Sequence, residues 1–138
     1  MPFVTAPNTS EAIAELAEQF VRGVEGLSGL RLDFSLASLG DLDRWLTEWI
    51  DMAAIYDAPA ALPDSALVEP IAAYIGEVLI RSAGAAWDFA AHSDQAFPPL
   101  QLSSGQRIDL SAAVLSVLQR TAPPAFAHLA RLADADRP

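Results

Sequence analysis

Four side chains able to do chemistry fall within fourteen residues, "YIGEVLIRSAGAAW": Tyr74, Glu77, Arg81 and Trp87. Intervals of three and four place Tyr74, Glu77 and Arg81 along one face of a helix. A carboxylate in mid-helix among apolar residues, beside an arginine and an indole, could line a pocket for a small ligand. Perturbed carboxylates mark functional sites, but they also occur in plain structural networks. The plainer reading is a structural i,i+4 ion pair, which contributes about 0.2–0.5 kcal/mol when exposed. That reading is preferred here, and the pocket of Tyr74, Glu77, Arg81 and Trp87 stands as the alternative. Gly76 lies inside the same stretch, where glycine lowers helix propensity by about 1 kcal/mol against alanine. Its presence predicts that a neighbouring backbone comes close. Gly76→Leu is then expected to destabilise by overpacking.

Other chemistries find little material. The chain has no cysteine, so thiolate nucleophiles, disulfides and zinc–thiolate sites are excluded. All eight cations are arginine, which removes the phosphate-binding and Schiff-base roles of lysine. His92 and His128 lie far apart, and no acidic run has calcium-loop spacing, so no metal is expected. Ser103-Ser104-Gly105 reads as a turn and lacks the G-x-S-x-G context of a nucleophile. Gly23, Gly26 and Gly29 follow a helix instead of entering one, so no phosphate cradle is predicted. No catalytic residue and no cofactor are therefore expected.

Charge points elsewhere. Net charge is −10 over 138 residues, and the excess is lopsided. Residues 1–69 hold twelve acids against three arginines, a balance of −9, and residues 70–138 hold six against five, a balance of −1. Such a half repels nucleic-acid phosphates and would steer a basic partner; the plainer reading is that the acidity only maintains solubility. The candidate contact face is Asp41, Asp43, Glu48, Asp51 and Asp57, all placed on or beside the exposed side of one helix. The leading expectation is a non-catalytic protein-binding domain, of which an immunity or inhibitor role is one version. The competing class is an enzyme or small-ligand binder centred on Glu77, Arg81 and Trp87.

The elements that must carry these residues follow from periodicity. Ile13, Leu16, Ala17, Phe20, Val21 and Val24 draw one helical stripe behind an Asn8–Glu11 capping pair. Gly23, Gly26 and Gly29 are expected to end that helix. "LRLDF" (Leu30 to Phe34) alternates and predicts a short strand. Ser35 caps a second helix over about 36–57, with Leu39, Leu42, Leu46, Trp49, Ile50 and Ala53 inward. A third helix spans about 69–83, with Pro70 in its first turn and Gly84 past its end. Strands are predicted near 86–91, 99–103 and 106–110, the last two forming a hairpin across Ser103-Ser104-Gly105. Asp109 or Ser111 caps a fourth helix over 110–120, and Phe126, Leu129 and Leu132 suggest a short last one. Helices flanking a small antiparallel sheet make an α+β single domain over 1–138, with tails at about 1–8 and 134–138. The N-terminus lacks a basic and apolar leader, and no apolar run reaches the roughly 20 residues needed to span a bilayer. A cytoplasmic location and no membrane association are expected. Abundant alanine and all-arginine cations suggest a GC-rich bacterial source.

Three segments resemble a group of small bacterial domains of the actinobacterial type whose function is unknown. They are "LDFSLASLGDLDRWL", "AAYIGEVLIRSAGAAWDF" and "PPLQLSSGQRIDLSAAVLSVLQR", together covering roughly Leu32 to Arg120. The most specific part is Y-x-G-E-V-x-x-R followed by G-x-x-W. The resemblance implies a helix–helix–hairpin–helix unit with Tyr74, Gly76, Glu77, Gly84 and Trp87 as its signature, and it implies no activity.

Overall fold

Apolar intervals of three and four govern the helices that form. The computed structural model describes residues 10–55, 68–88, 98–102, 105–118 and 126–129, with backbone alone for Ser10, Leu27 and 49–55. Helix α1 spans Ser10–Ser28, and its stripe of Ile13, Ala17, Phe20 and Val24 is buried. The helix runs through Gly23 and Gly26, contrary to expectation. Both sit on the exposed side, where an unfavourable propensity of about 1 kcal/mol each is outweighed by the buried stripe. Gly29 ends it instead, at φ 76°, with its N–H on the Glu25 carbonyl at 2.8 Å.

The expected strand at Leu30–Phe34 does not form. No strand among the described residues lies alongside it, so its alternation serves packing only: Leu32 is buried while Arg31 and Asp33 are exposed. Phe34 then turns the chain at φ 62°. Ser35 caps the second helix, its Oγ accepting the Ser38 N–H at 3.2 Å. This helix, α2, spans Ser38–Ile55, and Leu39, Leu42 and Leu46 are fully buried.

Helix α3, Val68–Ala83, is the hub. It packs chiefly on α1, on the later helix and on the sheet. Every residue from Ile71 to Leu79 is buried, so the Tyr74–Glu77 face lies inside as well as the Ile71–Ile75–Val78 face. Gly84 closes α3 at φ 74°, as its position predicts.

The sheet is small and antiparallel, in the order β1 (Ala86–Trp87), β2 (Leu100–Gln101) and β3 (Arg107–Ile108). Trp87 pairs with Leu100, and Leu100 with Ile108. The hairpin is therefore present, though each strand is two residues long. Arg107 binds Asp88 at 2.8 Å, tying the outer strand back to the end of β1. Helix α4, Leu110–Leu118, starts where the third strand is expected to end. Asp109 is its cap, accepting the Ala112 N–H at 3.1 Å. Val114, Val117 and Leu118 face the core. Residues 126–129 make a helical turn with Phe126 buried.

The architecture is α+β, and no helix among the described residues is long and apolar enough to cross a membrane. The expected tails, the strand beyond Asp88, the helix ends at 56–57 and 119–120, Asn8, Asp57, His92, Ser103, Ser104 and Leu132 lie outside the described residues.

Candidate functional site around Glu77 and the acidic face of helix α2

Gly76 admits a side chain, not the neighbouring backbone that its sequence context predicts. The Trp87 indole lies flush against it, and an ideal Cβ there would overlap Cη2 and Cζ2 of the ring. β1 holds Trp87 in this place through its pairing with Leu100. The ring edge then meets Glu77: Trp87 Nε1–H donates to Oε2 at 3.4 Å. Arg81 Nη2 approaches Oε1 at 3.5 Å. Glu77 is only 6% exposed, so this pair is largely a buried one on its acidic side.

Arg81 is also held from the other direction. Its guanidinium carbon sits 3.9 Å from the centroid of the Phe34 ring, a cation–π contact. The positive φ of Phe34, uncommon for a bulky residue, is supported by Tyr74. The Phe34 N–H donates to the Tyr74 hydroxyl at 3.1 Å, and the two rings lie 5.0 Å apart. Tyr74 in turn hydrogen-bonds Ser38. Ser38 spends its one hydroxyl proton on the Ser35 carbonyl at 2.6 Å, so Tyr74 must be the donor to Ser38. Burial pushes the Tyr74 hydroxyl above its usual acidity constant, against the opposing effect of Ser38 and Phe34. Ser35 continues the chain of bonds to the Asp33 carboxylate at 2.6 Å, and these bonds hold Asp33 below the usual carboxylate range.

Of the four residues of the alternative pocket, Glu77 and Trp87 share a cavity, whereas Tyr74 and Arg81 do not line it. The cavity has a volume of about 430 Å³ and is walled by Glu11, Ala14, Glu77, Ile80, Ala85, Ala86 and Trp87. Phe34 and Glu11 carry no mark in the sequence that would connect them to α3.

The acidic face needs one correction. Asp43 is not a free rim charge. Its carboxylate accepts the Phe126 N–H at 2.6 Å and the Ala127 N–H at 2.9 Å, pinning the C-terminal turn to α2. Desolvation outweighs those two bonds and holds its carboxyl above the usual range. Asp41 is bound to exposed Arg44 at 2.6 Å. Glu48 is exposed and enters no ion pair among the described residues. Asp51 lies in α2 with its side chain undescribed, and Asp57 lies outside the described residues. Asp41, Arg44, Trp45 and Glu48 border a second hollow of about 320 Å³ with Ser28 and Leu30. Phe20 of α1 fixes Trp45 by an edge-to-face contact at 6.0 Å.

Among the described residues no group of three or more His, Cys, Asp or Glu could hold a metal ion. Comparison with protein-family models, with curated proteins and with solved structures found no match.

Proposed function

We propose that this chain is a non-catalytic, cytoplasmic protein-binding domain that presents its acidic first half to a basic partner. An immunity- or inhibitor-like protein that masks a basic surface is one form of this role. The observation that carries the reading is the hollow on α2, where the carboxylates of Asp41 and Glu48 flank Trp45. An aromatic anchor amid charged groups is a common centre of binding energy. Long-range attraction by the remaining acids would speed the encounter. Partners recovered with the tagged protein from its host would be tested by association rates at two salt concentrations. Asp41→Asn with Glu48→Gln should slow binding at low salt. Unchanged rates for a folded double variant would remove the support for this face.

A further inference from the structure

We propose that the cavity between α1, α3 and β1 binds a small organic monocation, a primary alkylamine in its ammonium form. This goes beyond the acidic face of α2 and uses none of its residues. The cavity's volume of about 430 Å³ falls within the roughly 300–1,000 Å³ typical of small-ligand sites. Its walls divide by chemistry. Ala14, Ile80, Ala85 and Ala86 are apolar or nearly so, and they suit a short alkyl stem. Two carboxylates mark the two depths: Glu77 is 6% exposed, and Glu11 is on the exposed side of α1.

The lining carries two carboxylates and no cation: Glu77 is paired with Arg81 from outside the cavity, and Glu11 joins no ion pair among the described residues. Arg81 does not line the cavity; its guanidinium lies over the Phe34 ring. Its contact with Glu77 Oε1 is 3.5 Å long, and Trp87 Nε1 reaches Oε2 at 3.4 Å. A carboxylate offers about four acceptor positions. The two contacts occupy one position on each oxygen, so the buried Glu77 carboxylate keeps acceptor capacity for a further donor. An ammonium group supplies three N–H donors and a compensating charge. An anion would meet two carboxylates, and a purely apolar ligand would leave Glu77 as it is.

The test monitors the Trp87 indole N–H in ¹H–¹⁵N spectra of the whole chain, with the signal assigned by its loss in Trp87→Phe. Butylamine is titrated at neutral pH, with butanol, butyrate and sodium chloride as controls. A saturating shift with butylammonium, weaker with butanol and absent with butyrate, is expected. Glu11→Gln should weaken binding about two- to fivefold, the range for one exposed ion pair. Ala86→Leu lies on an exposed strand position and fills the cavity, so it should abolish the shift while the spectrum stays dispersed. Asp41→Asn with Glu48→Gln should leave it unchanged, which separates this site from the α2 face. A response that never saturates, matches that of sodium chloride or butanol, or survives Ala86→Leu overturns the proposal.

Discussion

At Gly76 a missing side chain is as specific as any present one. The Trp87 ring occupies the volume a Cβ would need. Gly76→Ala gains about 1 kcal/mol of helix propensity, yet the overlap with a ring held by β1 should outweigh it. Overpacking of this kind costs about 1–3 kcal/mol, and more for Gly76→Leu. The cause is testable by a double-mutant cycle in urea. In a Trp87→Leu background, Gly76→Ala should become neutral or stabilising, because the ring is gone. Additive effects would show that something other than the indole excludes the methyl group.

Two aspartates should separate in a carboxyl ¹³C titration. Asp33, bonded to Ser35, should titrate below 3.8, and Asp43, desolvated, should titrate above it. Linkage then gives them opposite signs. The contribution of Asp33 to stability is present above 3.8 and lost as pH falls through its lowered folded value. That of Asp43 is full below 3.8 and lost as pH rises through its raised folded value. Equal midpoints, or the reverse order, would contradict the environments described for these two side chains.

At the scale of elements, Asp43 joins α2 to a turn 83 and 84 residues away. Removing it leaves two backbone donors without their acceptor and a buried Phe126 less firmly held. Asp43→Ala should therefore cost about 1–3 kcal/mol and raise hydrogen exchange at the Phe126 and Ala127 amides. Asp41→Ala is the control. Its ion pair with Arg44 is exposed, where such pairs contribute about 0–1 kcal/mol, and exchange at 126–127 should not change. The same contrast explains what the sequence can reveal. Leu39, Leu42 and Leu46 declare α2 because a helix repeats its burial locally. The hairpin is legible because Leu100 and Ile108 alternate around one glycine-bearing turn. "LRLDF" alternates too, but a strand needs a partner, and nothing in five residues says that no strand among the described residues lies beside it. Asp43 and Asp41 look alike in sequence, since only the distant turn distinguishes them. In the candidate site, the Glu77–Arg81 pair is readable from its spacing. The Phe34 ring on Arg81 and the Trp87 ring on Gly76 arise from tertiary packing, which spacing does not encode.

For the molecule as a whole, the uneven charge has a kinetic consequence. The first half carries −9 and the second −1. The arginines of the first half are each engaged locally: Arg22 with Glu18, Arg31 with Glu25 and Arg44 with Asp41. Glu11, Glu15 and Glu48 are exposed and join no ion pair among the described residues, so their field extends into solvent. Charges at a rim act mainly on the rate of encounter and its salt dependence. Asp41→Asn with Glu48→Gln should therefore lower the association rate for a basic partner several-fold at low salt. The difference should shrink toward 1 M salt, where the screening length falls to about 3 Å. Dissociation should change less unless Trp45 also lies in the contact, which Trp45→Ala would reveal as a faster off-rate. Asp43→Asn serves as the internal comparison, because its carboxylate is committed to the C-terminal turn. It should lower stability more than it lowers the association rate. If the folded Asp41–Glu48 double variant associates at the unaltered rate at low salt, steering does not come from the exposed acids of α2, and the binding surface has to be sought at the exposed Glu11 and Glu15 of α1.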